Sequence, residues 1–107
     1  MPESSVPRAI ADARTRLQEI YGYSLRGLYL YGSYARGEAT VVSDLDLLVV
    51  LERVDSYFAE IERTSELRSD LSLEYGLTVS MVYVSDADWR TADTPFLASV
   101  RVEARAA

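Results

Sequence analysis

The sequence contains no cysteine, no histidine and no lysine, and each absence excludes a kind of chemistry. Without cysteine there is no disulfide and no thiolate metal site, and without histidine there is no imidazole catalysis and little scope for zinc. All eleven basic residues are arginines, so Schiff-base and P-loop lysines are excluded as well. The remaining functional groups are carboxylates, hydroxyls, guanidinium groups and the backbone, and oxygen ligands of this kind suit magnesium or manganese.

Positive charge is also scarce, because 17 acidic residues outweigh the arginines and give a formal net charge of −6. No direct binding of duplex nucleic acid is therefore expected, since contacts with phosphates need a basic surface. A small nucleotide remains compatible with this charge if a metal ion supplies the positive charge.

Long apolar runs are absent too. No stretch approaches the roughly 18 apolar residues that a transmembrane helix needs, so no membrane partner is expected. The first residues, MPESSVPRAIADAR, lack the basic-then-apolar order of a secretion signal. These features predict a cytoplasmic protein.

The length of 107 residues predicts one domain, residues 1–107, with a single hydrophobic core. Hydrophobic periodicity predicts strands at Leu25–Tyr31, Leu45–Leu51 and Leu77–Val84. Helical segments are predicted over residues 5–21, at Ser33–Arg36, at Val54–Tyr75, after Ser85 and from Thr94-Pro95 onward. This order indicates an α/β (α+β) fold, with a small mixed sheet of about three to four strands and helices packed mainly on one face.

Several details of the helices follow from the same patterns. Ser33 is expected to be the N-cap of its short helical turn and Gly37 to end it, and Asp55 or Ser56 is expected to cap the long helix. The predicted buried positions of the three longer helices are Ile10, Ala13, Leu17, Ile20 and Tyr21, then Phe58, Ile61, Leu67, Leu71 and Tyr75, and finally Phe96, Leu97 and Val100.

Asp44 and Asp46 stand directly before and within the strand at Leu45–Leu51. On an extended strand, residues two apart share one face, with Cα atoms about 6.5 Å apart. Two carboxylates that converge there repel each other unless a cation lies between them, and a divalent metal ion is the natural solution.

Gly32 and Ser33 follow the preceding strand. A glycine lets the backbone approach a ligand closely, and the N–H groups of the helical turn that Ser33 opens form a potential anion site. If the two strands are neighbours, this site and the aspartates face one pocket that fits a nucleoside triphosphate bridged by Mg²⁺. Ser43 is expected either to cap its loop or to touch a phosphate, and Arg36 to neutralise phosphate charge.

Each of these elements also has an ordinary structural explanation. A Gly-Ser pair occurs in many simple turns, and Asp-x-Asp at the start of a strand is often a solvated or loop-capping pair. It is their joint spacing between two strands of one domain that favours a functional site.

Residues 31–50 read YGSYARGEATVVSDLDLLVV. Their Gly32-Ser33, ten intervening residues and Asp44-Leu45-Asp46 resemble the signature of the DNA polymerase beta superfamily of nucleotidyltransferases. The fuller string closely resembles the minimal nucleotidyltransferases (MNT) of bacteria and archaea. The resemblance implies a nucleotidyltransferase-like fold, contact of Gly32 and Ser33 with the triphosphate of ATP or another NTP, and catalytic Asp44 and Asp46 that bind Mg²⁺ or Mn²⁺.

A third carboxylate, on a later strand, normally completes the site in this family. The predicted strand Leu77–Val84 contains no acidic residue, and Ser80 is its best counterpart. The nearest acidic residues in the sequence, Glu74 and Asp86, do not look placed to substitute for it.

The resemblance also implies a partner, because minimal nucleotidyltransferases are often paired with a HEPN-domain toxin. Two hypotheses follow. In the first, the chain is an Mg²⁺-dependent nucleotidyltransferase that transfers NMP to a protein hydroxyl, as antitoxin of a HEPN-type toxin. In the second, it is a catalytically impaired antitoxin that neutralises its partner by binding, because the third carboxylate is absent. Whether the chain forms a homo-oligomer is left open.

Overall fold

Four strands form one mixed sheet at the centre of the structure, a computed structural model that describes residues 2–40 and 42–107. The strands are β1 (Leu25–Tyr31), β2 (Leu45–Leu51), β3 (Val79–Ser85) and β4 (Arg105–Ala106). Their order in the sheet is β3-β2-β1-β4. β1 runs antiparallel to both β2 and β4, whereas β2 and β3 are parallel. The predicted mixed sheet and fold class are therefore confirmed.

The helices connect these strands in the predicted order. They are α1 (Pro2–Tyr21), α2 (Ser33–Arg36), α3 (Tyr57–Arg63), α4 (Ser65–Tyr75), α5 (Asp86–Thr91) and α6 (Pro95–Glu103). A 3₁₀ turn at Gly22–Ser24 joins α1 to β1. No helix in the described part of the chain is both long and apolar enough to cross a membrane.

β2 is almost entirely apolar because both faces of the sheet are covered. Leu45, Leu47 and Val49 belong to a core cluster with side chains of α1 and α4, the two longest helices. Leu48 and Val50 lie in a second cluster, on the other face, with Leu97 and Val100 of α6 and Trp89 of α5.

The strand predictions were accurate where the apolar pattern was long. The bounds of β1 and β2 are as predicted, whereas β3 begins at Val79 rather than Leu77 and ends at Ser85. Leu77 is nevertheless buried, with 6% of its surface exposed. β4 is only two residues long, too short to leave a periodic pattern.

The predicted single helix at Val54–Tyr75 is wrong, because the segment forms two helices that meet at Thr64. The Thr64 side chain is fully buried, and its hydroxyl donates to the Glu60 carbonyl oxygen at 2.9 Å and contacts the Tyr83 hydroxyl. Threonine hydroxyls that bond to nearby carbonyls perturb the regular helix. Ser56 caps α3 as predicted, accepting from the Ala59 N–H at 3.3 Å.

Four predicted core positions are more exposed than expected: Ile20 (36%), Phe58 (66%), Ile61 (37%) and Phe96 (44%). Phe58 and Ile61 lie on α3, which the break at Thr64 separates from the well-buried α4. Ile20 borders an open polar cavity of about 310 Å³. Phe96 and Tyr31 form an edge-to-face pair, with the ring centres 5.7 Å apart.

Two leucines of α4 provide a test of this packing. Leu67 is 1% exposed and Leu73 is 82% exposed. Leu67→Ala should lower the free energy of unfolding by about 2–5 kcal/mol, because it leaves a cavity between α4 and the sheet. Leu73→Ala should change it by less than about 0.5 kcal/mol. Urea denaturation measures both, and equal effects of the two substitutions would contradict the packing described for α4.

Candidate active site

The pairing of β1 with β2 brings the Gly-Ser and Asp-x-Asp segments together. Tyr31, the last residue of β1, is the register partner of Asp46. Gly32 comes next and has φ 78° and ψ −158°, a backbone conformation that side chains rarely tolerate. A Cβ atom at Gly32 would lie 2.2 Å from Oδ2 of Asp46, well inside van der Waals contact. Only glycine therefore lets the Asp46 carboxylate lie against this backbone.

α2 begins directly after Gly32. The prediction that Ser33 is its N-cap is wrong: Gly32 is the N-cap, and its carbonyl oxygen accepts from the Arg36 N–H at 3.1 Å. Ser33 is instead the first helical residue, because the backbone already turns at Gly32, where φ is positive. Gly37, with φ 73°, ends the helix as predicted.

Asp44 is exposed and Asp46 is partly buried, at the edge of the sheet where β2 starts. Burial raises the pKa of the Asp46 carboxyl, and the negative charge of Asp44 raises it further. The Arg36 guanidinium acts in the opposite direction, whereas the carboxylate of Glu103 adds to the increase. Negative charge is thus in excess around Asp46.

The strand beside β2 presents no carboxylate next to Asp46. In the parallel pairing of β2 with β3, the residue in register with Asp46 is Ser80. The sequence of β3 is VSMVYVS, without an acidic residue. Asp86 begins α5 and is paired with Arg90 at 2.9 Å, and Glu74 lies in α4.

Glu103, the last residue of α6, also acts on the carboxyl of Asp46, and the sequence patterns did not indicate it. Its Oε2 accepts a hydrogen bond from the Gly32 N–H at 2.5 Å. Its two carboxylate oxygens each lie 3.2 Å from Nη1 of Arg36. Arg36 also donates from Nε to Glu38 at 2.9 Å. No local signal could have found Glu103, because only the folding of α6 across the sheet brings it to Gly32.

Ser43 stabilises the loop before Asp44. Its hydroxyl oxygen accepts from the Thr40 N–H at 2.9 Å, and its own N–H donates to the Thr40 carbonyl oxygen at 3.0 Å. Ser43 is therefore the capping residue of this loop, one of its two predicted roles. A contact with phosphate stays a prediction.

Asp44 and Asp46 fit a magnesium ion if the phosphates of a substrate supply its other ligands. Across residues 2–40 and 42–107, no three acidic, histidine or cysteine side chains converge into a metal site. Mg²⁺, however, is commonly bound through one or two carboxylates together with the phosphate oxygens of a substrate. Asp44 and Asp46 are such a pair, and they lie in a region of excess negative charge.

This arrangement, an Asp-x-Asp strand beside a glycine turn in a mixed sheet, defines the class of proteins that the chain resembles. The family model described as "Nucleotidyltransferase domain" matches residues 10–106. The chain belongs to this nucleotidyltransferase domain family.

Two proteins of Methanocaldococcus jannaschii are similar in sequence. One, provisionally named protein adenylyltransferase MJ1305, is 33% identical over 92 residues, which are 82% of this chain and 60% of that protein. The other, provisionally named protein adenylyltransferase MJ0604, is 29% identical over 79 residues, 74% of this chain and 73% of that protein. The chain thus spans only part of the length of these relatives.

Solved structures share the fold. A toxin–antitoxin structure with AMP-PNP superposes with a TM-score of 0.63 and 24% identity, covering 88% of this chain and 68% of that chain. A nucleotidyltransferase-type protein of Sulfolobus solfataricus gives 0.62 and 18%, covering 98% and 84%. A complex of tri-AMPylated Shewanella oneidensis HEPN toxin with MNT antitoxin gives 0.56 and 18%, covering 92% and 70%.

The close approach of Gly32 to Asp46 predicts that alanine substitutions at Gly32 and at Gly37 lower stability by different amounts. Both Gly32 and Gly37 have positive φ, but a Cβ at Gly37 would meet nothing within 4 Å. Gly37→Ala should cost about 1–2 kcal/mol of stability for the strained backbone, whereas Gly32→Ala should cost more because it also displaces Asp46. Urea denaturation measures the difference, which should shrink in an Asp46→Ala background. Equal costs for the two glycines would contradict the contact.

Tyr31 gives a prediction about pH. Its burial, reinforced by the negative charge of Asp46, raises its pKa to about 12. Because the folded-state pKa lies above the unfolded value of about 10, the contribution of Tyr31 to stability is complete below pH 10 and is lost as pH rises toward 12. Tyr31→Phe should therefore weaken the alkaline loss of stability, and Asp46→Asn should lower the Tyr31 titration midpoint observed by NMR. A midpoint unchanged by Asp46→Asn would contradict the proximity of the two side chains.

Proposed function

We propose that this chain binds ATP or another NTP together with Mg²⁺ or Mn²⁺ and transfers NMP to a protein hydroxyl. The observation that carries the proposal is the position of the Asp46 carboxylate against Gly32, which brings one carboxylate of the Asp-x-Asp pair next to the backbone turn that we propose to bind phosphate. The membership of the nucleotidyltransferase domain family and the AMP-PNP in a structural neighbour support it.

Asp44 and Asp46 would hold the metal ion, whose chemistry is to neutralise charge on the phosphate oxygens and polarise the reacting phosphate. Gly32 and Ser33 would bind the phosphates through the backbone and the serine hydroxyl. Arg36 lies near the Gly32 turn, because its guanidinium contacts the Glu103 carboxylate and that carboxylate also accepts from the Gly32 N–H. Ser43 would fix the loop that carries Asp44.

In the transfer step, the oxygen of the acceptor hydroxyl forms a bond to the α-phosphorus. The bond from that phosphorus to the oxygen bridging the β-phosphate breaks, and pyrophosphate leaves. The hydroxyl proton passes to solvent water, because β3 presents Ser80 and no carboxylate beside Asp46. We infer that the chain works by positioning and charge stabilisation more than by general-base catalysis.

The acceptor would be a HEPN-type toxin and the chain its antitoxin, acting in the cytoplasm. The structural neighbours that are toxin–antitoxin complexes, including one with an AMPylated HEPN toxin, support this assignment. The provisional names of the two sequence relatives support adenylyl as the transferred group.

One observation favours the alternative, an antitoxin that neutralises its partner by binding alone. A serine in register with Asp46 is a weak metal ligand and cannot act as a carboxylate base. If the third carboxylate is indispensable in this family, nucleotide would still bind but transfer would fail.

Label transfer tests the proposal. The protein would be incubated with labelled ATP, Mg²⁺ and the product of the adjacent gene, as wild type and as Asp44→Asn or Asp46→Asn. Each substitution should reduce transfer at least about a hundredfold, because it removes a carboxylate that holds the metal. Asp55→Asn is the control, since Asp55 is exposed at the opposite end of β2 and should leave transfer unchanged.

Three results would count against parts of the proposal. Transfer that survives in Asp46→Asn would contradict the site. No transfer to any protein by the wild type, with neutralisation of the toxin undiminished in both aspartate variants, would establish the binding-only alternative. Labelling of the adjacent-gene product at a residue without a hydroxyl would contradict the acceptor class.

A further inference from the structure

The carboxylate of Glu103 already contacts the Gly32 N–H and the Arg36 guanidinium, two groups that the proposed function assigns to phosphate binding. It accepts from the Gly32 N–H at 2.5 Å and lies 3.2 Å from the Arg36 guanidinium. The Glu103 side chain is 19% exposed and its hydrogen bond with Gly32 is partly buried, whereas its contact with Arg36 is exposed. A carboxylate and a phosphate oxygen use the same donors, because both are anions that accept from N–H groups.

The backbone on both sides of Glu103 fixes it in this position. On the N-terminal side, Leu97 and Val100 anchor α6 in the apolar cluster over the sheet. On the C-terminal side, β4 pairs with β1, with Arg105 opposite Leu30, and the Ala107 N–H donates to the Leu28 carbonyl oxygen at 2.8 Å. The side chain itself has rotatable bonds, so it can leave Gly32 while its backbone stays in place.

Glu103 does not have the surroundings of a metal ligand in this conformation. Its oxygens contact hydrogen-bond donors, Gly32 and Arg36, whereas a ligand of a shared metal would face the carboxylates of Asp44 and Asp46. A triphosphate approaching Gly32 would meet both the bulk and the negative charge of Glu103, so the two anions cannot share the Gly32 N–H.

We propose that Glu103 is an internal competitor that occupies the phosphate-binding groups until a nucleotide displaces it, an inference that rests on the proposed function. Binding of phosphate then requires the Glu103 side chain to leave Gly32 and Arg36. The apparent affinity for nucleotide is lowered by the fraction of molecules in which Glu103 is bound to Gly32.

Binding of inorganic tripolyphosphate without metal, and of ATP with Mg²⁺, tests this competition by calorimetry. Glu103→Ala removes the competing anion and should bind tripolyphosphate about tenfold more tightly than the wild type. Glu103→Gln keeps the size but not the charge and should lie between them. The matched control is Glu38→Gln, since Glu38 pairs with Arg36 at 2.9 Å but is exposed and should shift affinity less than about twofold.

A second measurement uses only the wild type and does not depend on how the variants fold. In NMR spectra, added tripolyphosphate should shift the Gly32 amide and the Glu103 side-chain carboxyl resonance together, with one midpoint. Movement of the Gly32 amide while the Glu103 carboxyl resonance stays constant would overturn the proposal.

The other outcomes are equally decisive. Equal or weaker tripolyphosphate binding by Glu103→Ala, or no binding by any form, overturns the competition. Weaker Mn²⁺ binding by Glu103→Gln would make Glu103 a metal ligand and also overturns it. Absence of ATP binding by the wild type, together with tighter tripolyphosphate binding by Glu103→Ala, would contradict the proposed function but support the competition.

Discussion

The contact between the Asp46 carboxylate and the backbone of Gly32 is the constraint on which the rest of the site depends. It exists because β1 and β2 pair with Tyr31 opposite Asp46, and because residue 32 has no Cβ to keep the carboxylate away. The positive φ of Gly32 then starts α2 at once, so Ser33 and Arg36 are held beside the same edge of the sheet. A single glycine thus couples the turn that we propose to bind phosphate to the strand that we propose to bind the metal ion.

Electrostatics at this edge follow from that geometry. Asp44 and Glu103 place negative charge around the partly buried carboxyl of Asp46, and Arg36 is the cation that opposes it. This arrangement of charges supports the proposal that a divalent cation binds at the aspartates and an anion at Gly32 and Arg36. In the structure the carboxylate of Glu103 lies at Gly32 and Arg36. A side chain of α6 therefore accepts the hydrogen bonds of these two groups.

Much of this could be predicted from sequence, and the failures have physical causes. The bounds of β1 and β2 follow from strong apolar patterns. The expected meeting of the Gly-Ser and Asp-x-Asp segments was conditional on β1 and β2 being neighbours, as they are, and Ser80 was the counterpart on β3 that the family resemblance indicated. The break at Thr64 was missed because it depends on a buried contact with Tyr83, and the exposure of Phe58 follows from it. Glu103 was missed because its position depends on the packing of α6 and the two-residue β4, which no periodicity records.

The most direct test of the central claim, that Asp44 and Asp46 hold a metal ion beside the phosphate site at Gly32, is a crystal structure with ATP and Mn²⁺. The account predicts an anomalous-scattering peak in contact with both aspartates and phosphate density at the Gly32 N–H, with Glu103 displaced from that N–H. A manganese peak away from Asp44 and Asp46, or a triphosphate bound elsewhere on the molecule, would contradict it.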